Sequence, residues 1–347
     1  MPNVRLSTVL LAVLSCVLAP PLARAATWYV AATGVDAPDC GRKTNPCRSI
    51  CRAIGQPSTV AGDKIVVGPG RYGDVDGNGT LGGPGDEAPA PGCGCMLAVN
   101  KGVSLISSHG AAATVIDGRF LTGLAANVAL FMDGGEFGRP GKGFTVTPTG
   151  DLGSHGLVID SGNIAVRGNQ IVNASEPGLG TGIRTVAFPQ AMRIEGNQAI
   201  GWEFGMFLRG GNKTVRDNQV SQNRVGMIVE GGTVVGNLAL ANTDVGFLLR
   251  EATDATGNAA HGNRWGFQVG LGFSGALQKN DVFGNILCGL LNGGIGTTGP
   301  LPDLAAPKNY WGAATGPGPA PADDVCGTAT TTPFATKPFG VKPRLKL

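Results

Sequence analysis

Between Gly156 and Gly289, short apolar runs are broken by glycine and asparagine at a nearly constant spacing. Asn218, Asn223 and Gly226 recur as Asn237, Asn242 and Gly246, and again as Asn258, Asn263 and Gly266. Asn280, Asn285 and Gly289 repeat the pattern with three residues before the glycine, as between Asn242 and Gly246. Gly205, Gly226, Gly246 and Gly266 lie 21, 20 and 20 residues apart. Each period holds three strand-like pieces: one after the glycine, one leading into the first asparagine, and one between the paired asparagines. A unit this small cannot bury a core alone and must stack on its neighbours. Coils of equal length set each strand about 4.8 Å above its counterpart, which predicts three parallel sheets and a rod on the order of 50 Å long from about ten to twelve coils.

The asparagines suit the corners of such a coil. Asparagine tolerates the left-handed backbone conformation, and its amide can hydrogen-bond to nearby backbone. Stacked coil on coil, Asn197, Asn218, Asn237, Asn258 and Asn280 predict an internal ladder in which each amide bonds the next. Their role is read as structural.

The flanks differ from the repeats. Residues 26–61 predict an N-terminal cap, with a strand at Thr27 to Val30 and a short helix from Ser49 to Ile54 that would cover the open end of the sheets. Residues 62–312 predict the solenoid, entered by the strand at Lys64 to Val67 and its Pro69–Gly70 turn, and interrupted by a Gly/Pro-rich insertion at 73–95. Residues 313–347 read as a Pro-rich tail. Residues 1–25 read as an export signal: Arg5, the apolar run Val9 to Leu18, and the cleavage pattern Ala23, Arg24, Ala25. The run is too short to span a bilayer. A rival reading makes Cys16 a lipid-attachment site, although Leu14 before Ser15 fits that pattern poorly. The expectation is a secreted or periplasmic monomer with no transmembrane segment.

Removing Arg5 and Arg24 with the signal leaves 25 basic against 24 acidic side chains. That even balance argues against nucleic acid as the partner. A charged fraction of 15%, with 58 glycines and 23 prolines, fits a turn-rich all-β chain. Export also makes disulfides the default for the cysteines. Cys288 and Cys326 would pin the tail to the last coil, and two bridges among Cys40, Cys47, Cys51, Cys93 and Cys95 would leave one thiol over. A metal site in that cluster lacks a nearby histidine.

The pattern resembles the right-handed parallel β-helix family, the pectin-lyase-like superfold that includes the NosD-like repeat proteins. Tyr29–Val30 and the run Gly62 to Tyr72 look like its usual beginning; Asn309, Tyr310, Trp311 and Gly312, with Gly316 and Pro317, look like its usual end. The resemblance spans nearly the whole mature chain. It implies an all-β, single-stranded right-handed parallel β-helix and leaves the activity open, since the family includes lyases, hydrolases, epimerases, adhesins and accessory proteins. Members that cleave uronate polymers imply stacked acidic residues holding Ca²⁺, with an arginine or lysine that removes a proton. Hydrolases of this fold imply clustered aspartates with Gly-His-Gly and Arg-Ile-Lys segments. This chain has only Ser154-His155-Gly156 and Arg193-Ile194-Glu195.

Strand alternation points Val158, Arg184, Phe207, Ile228, Leu248 and Gln268 outward, a largely apolar row without a carboxylate. Two residues on, Arg209, Glu230 and Arg250 become neighbours at coil spacing. As catalytic candidates, two arginines flanking a glutamate could hold an anionic sugar and move a proton; as structure, they form a solvated charge ladder, the favoured reading. Trp202, Phe207 and Trp265, on or near the apolar row, are the candidates for packing against sugar rings, so a polysaccharide is the expected partner. A covering loop, such as residues 317–343, is the alternative. His109, His155 and His261 follow no ligand spacing. In the insertion, Asp74, Asp76 and Asn78 with Gly79 match the start of a Ca²⁺ loop, with Gly85 where the bidentate glutamate belongs and Asp86 and Glu87 directly after it.

Overall fold

A computed structural model describes residues 24–88, 94–119, 127–147, 154–173, 179–186, 191–270, 272–293 and 304–347. The expected export signal up to residue 23, Cys16 and Cys93 lie outside them.

The strands form three parallel stacks. The first contains Cys95–Val99, Asn127–Phe131, His155–Ile159, Thr181–Thr185, Phe204–Leu208, Trp265–Val269 and Cys288–Asn292. Between Phe204–Leu208 and Trp265–Val269 run the long strands Val225–Val235 and Val245–Thr256, which begin in the first stack and continue into the second across a register shift after Glu230. The second stack also holds Lys64–Val67, Ser104–Ser107, Ile164–Arg167, Ala191–Glu195 and Asn212–Arg216. Its lower edge pairs Thr27–Val30 with Lys64–Val67. The third runs from Gly70–Tyr72 through Gln198–Ile200 and Gln219–Ser221 to Asp281–Phe283. Inward residues such as Leu157, Ile183, Met206, Met227 and Phe247 fill one continuous core along the axis. Phe247 and Phe267 stack on successive coils with ring centroids 4.8 Å apart.

The asparagine ladder is longer than the repeat predicts. It runs Asn169, Asn197, Asn218, Asn237, Asn258, Asn280, Asn309, each amide nitrogen donating to the next Oδ1 at 2.9–3.1 Å. The same Oδ1 atoms accept backbone N–H groups, and all seven side chains are fully buried. A second ladder passes through Asn223, Asn242, Asn263 and Asn285 and ends on the Asp323 carboxylate. Burial pushes the Asp323 carboxyl up. The anchor glycines answer to this ladder: a Cβ on Gly205 would sit 2.6 Å from the Gly226 carbonyl oxygen and 2.9 Å from the Asn223 amide nitrogen.

The predicted helix forms at Ile50–Gly55, capped by the Ser49 hydroxyl accepting from the Arg52 N–H, and it seats Ile50, Ala53 and Ile54 in the core at the first coils. Its first N–H groups, of Ile50 and Cys51, donate to the buried carboxylate of Glu87 at 2.6 and 2.8 Å, which ties the insertion to the cap. Disulfides join Cys40 to Cys47 and Cys288 to Cys326; Cys95 is also bridged, and among the described residues Cys51 is the free thiol.

Candidate functional site

The outward face of the first stack is built from two rows. One reads His155, Thr181, Phe204, Val225, Val245, Trp265 in register from coil to coil. The other reads Val158, Arg184, Phe207, Ile228, Leu248, Gln268, as strand alternation predicts. Phe204 and Phe207 face the same way although they are three positions apart, because the anchor glycine turns inward toward the ladder and interrupts the alternation. The two rows pack on each other as a small apolar layer separate from the coil core: Phe204, Phe207, Val225, Ile228, Val245, Leu248 and Trp265. The face is more closed than the sequence suggests. Val225, Ile228 and Val245 are at most 5% exposed, while Phe207, Leu248 and Trp265 are half-buried at its surface.

Arginines rim this layer. Arg209 lies over the Phe207 ring at 4.4 Å, Arg224 over Phe204 at 5.1 Å and Arg264 over Trp265 at 4.6 Å, distances at which guanidinium and ring attract. Arg224 also pairs with Glu203 and Asp244 on the neighbouring coils.

The expected placements divide clearly. Phe207 and Trp265 lie in the outer layer. Trp202 does not: it is fully buried in the core, and its indole N–H donates to the Ile171 carbonyl at 3.1 Å, so it cannot meet a ligand. The Trp202 backbone N–H donates to Asn223 Oδ1, which places the indole at the second ladder's next rung. Arg209, Glu230 and Arg250 are brought together. Arg250 Nη1 stands 3.1 Å from one Glu230 oxygen and Arg209 Nε 3.9 Å from the other, and Glu230 and Arg250 are direct register partners. Both arginines remain about two-fifths exposed, the geometry of a surface charge ladder. The tail does not cover the aromatic face. Its last residues cross the turns of the first ladder, where the Gly141 N–H donates to the Lys346 carbonyl, and Asp281 accepts the N–H groups of Phe339, Gly340 and Val341.

Arg184, expected in the outward row, and His155, not expected on this face, complete it. His155, only 7% exposed, has its Nε2 at 2.6 Å from Arg184 Nη1. Burial, and then the charge of Arg184, lower its pKa to about 4, so the ring is neutral and accepts that hydrogen bond. Strand alternation alone places Arg184 in an outward row, whereas the row of His155 is hidden because the anchor glycine after it breaks that alternation.

For a metal, Asp74, Asp76 and Asp86 bring carboxylate oxygens within 4.8 Å of one another. Asp86 takes the place expected for Asn78, whose Oδ1 instead accepts from the Thr80 N–H and hydroxyl. Asp74 and Asp86 already accept backbone N–H groups of Gly77, Gly79, Val75 and Gly83, so the loop is shaped around its own acids. The other such group among the described residues, Asp36 with Cys40 and Cys47, has both sulfurs tied up in a disulfide.

Residues 141–300 match the family model described as periplasmic copper-binding protein (NosD). Neither group of potential ligands contains a histidine or a free thiol, so neither suits copper, which prefers imidazole and sulfur. Among solved structures, a GH136 lacto-N-biosidase from Eubacterium ramulus superposes with a TM-score of 0.58 at 10% identity, over 90% of this chain and 68% of that one. Pectate lyase Pel9A superposes with a TM-score of 0.50 at 14% identity, over 90% of this chain and 78% of that one. No curated protein matches the sequence significantly. The parallel coils and these likenesses identify the fold as a right-handed parallel β-helix of the pectin-lyase-like kind.

Proposed function

We propose that this chain is an exported β-helix protein that binds polysaccharide along the outward face of its first stack. The observation that carries the reading is the outer apolar layer, with Phe207 and Trp265 at its surface and arginines at its rim. Aromatic and apolar side chains pack against the C–H faces of sugar rings, and a contiguous strip spanning several coils suits an extended chain better than a small molecule. The similarity in fold to a lacto-N-biosidase and a pectate lyase is consistent with a glycan ligand and does not select one. Disulfides at both ends of the coil agree with an oxidising compartment, and among the described residues no helix is long and apolar enough to cross a membrane.

Binding is favoured over catalysis because carboxylates bordering the aromatic layer are engaged by arginines: Glu230 by Arg209 and Arg250, and Glu203 and Asp244 by Arg224. A panel of neutral and acidic polysaccharides decides the matter, with binding, ultraviolet-absorbing unsaturated ends and new reducing ends followed together. Binding without either product is the expected result; no binding to any member would favour instead a non-catalytic, adhesin-like or accessory scaffold rod. As a structural ion, Ca²⁺ is assigned to Asp74, Asp76 and Asp86, whose oxygens suit a hard cation.

A further inference from the structure

Within the outer layer, Arg184 stands apart. Its register partners on the two adjoining coils are Val158 and Phe207, both part of the apolar face. Arg209, Arg224 and Arg250 each have a carboxylate partner, and Arg264, which has none among the described residues, lies exposed over the Trp265 ring at the rim rather than within the face. Among the described residues Arg184 has none; its close polar contact is the neutral ring of His155. A guanidinium held by an uncharged acceptor keeps its full charge and its remaining N–H donors. Beside apolar surface those donors remain available to an anion on the face, and their planar fork matches a carboxylate or sulfate in two-point contact.

We infer that Arg184 is a specificity-determining residue that reads one anionic substituent of the bound glycan, with His155 as the residue that positions it. The inference rests on the polysaccharide reading above and adds the ligand's charge. The apolar layer supplies contact that any sugar chain can make, and Arg184 rewards a chain bearing a negative group at the matching sugar. The shared chemistry is an oxyanion on a ring, carried by a uronate or by a sulfate ester.

The test uses the full chain with polygalacturonate, dextran sulfate and unmodified dextran, with affinity measured by calorimetry at fixed low salt. The wild type is expected to prefer at least one acidic chain over dextran by about tenfold, the scale of a charge-assisted hydrogen-bonded contact. The uronate and sulfate arms separate the two sources of the anion. Arg184→Gln should erase the preference while leaving dextran binding in place, Arg184→Lys should keep part of it, and His155→Ala should reduce it without lowering dextran affinity. Trp265→Ala should weaken all chains together. Equal binding of acidic and neutral chains, or an Arg184→Gln variant that keeps the preference with an unchanged melting temperature, overturns the role of Arg184 and leaves polysaccharide binding standing. Failure of every chain to bind removes both.

Discussion

The indole N–H of Trp202 donates to the Ile171 carbonyl, the atom whose register equivalents at Ala199, Val220, Ala239 and Ala260 accept the amides of Asn223, Asn242, Asn263 and Asn285. Trp202 is thus the first rung of the second ladder, a tryptophan doing an asparagine's hydrogen bonding while filling the core beside it. Trp202→Ala should therefore cost about 3–5 kcal/mol, the range for a buried tryptophan truncated to a cavity, and leave the Ile171 carbonyl unpaired. Urea unfolding measures it; a loss below about 1 kcal/mol would place the indole outside the core.

Asn237 occupies the middle of the first ladder, accepting from the Asn218 backbone and amide and donating to Asn258 and to the Val215 carbonyl. Asn237→Ala strands several buried groups at about 1–3 kcal/mol each. The expected loss exceeds about 3 kcal/mol, and because each coil depends on its neighbours, hydrogen exchange should accelerate first in the adjoining coils. Unchanged exchange there would mean that the ladder does not couple the coils.

These two residues show what the sequence reveals and what it conceals. Coil length, the anchor glycines and the first ladder are legible because every turn faces the same steric demand. Asn169 and Asn309 escape the period because longer coils place them 28 and 29 residues from their partners. Asp323 closes the second ladder from 38 residues away, which no local pattern announces. Trp202 follows Asn197 by the same five residues that separate Asn218 from Asn223, so its ladder position was readable in the spacing; its aromatic character suggested a surface role instead. The outer row of Phe204, Val225 and Val245 was hidden because an inward glycine breaks the alternation that strand reasoning assumes.

Glu87 gives the cap a pH dependence. Desolvation raises its carboxyl to about 7, even though the Ile50 and Cys51 N–H groups favour the charged form. An acid whose folded pKa exceeds its unfolded value binds protons more tightly when folded, so stability is full below about 4.5 and declines as pH rises toward 7. Glu87→Gln should flatten that slope, which amounts to a few kcal/mol at most at about 1.4 kcal/mol per pKa unit. Melting of both proteins across pH 4 to 8 checks it; parallel curves would contradict the assignment.

At the opposite end, Cys288–Cys326 closes 38 residues of chain. Cys326→Ser should lower stability by about 3–4 kcal/mol on a chain-entropy estimate. The Arg209–Glu230–Arg250 ladder is far less costly to disturb: Arg250→Ala should change stability by no more than about 1 kcal/mol, as for other exposed pairs. A large loss of glycan binding in Arg250→Ala would show that the ladder touches ligand.

Ca²⁺ provides a separate check on the insertion. Titration should release heat and raise the melting temperature in the wild type, with both effects absent in Asp74→Asn/Asp86→Asn. No heat and no shift in the wild type would withdraw the ion.

The most direct measurement is hydroxyl-radical footprinting of the full chain with and without saturating polysaccharide, read at single aromatic side chains. Protection of Phe207 and Trp265, with Phe283 and Tyr310 near the third stack unchanged, is the predicted result. Protection confined to Phe283 and Tyr310, or none at Trp265 while the glycan is demonstrably bound, would place the ligand elsewhere on the coil.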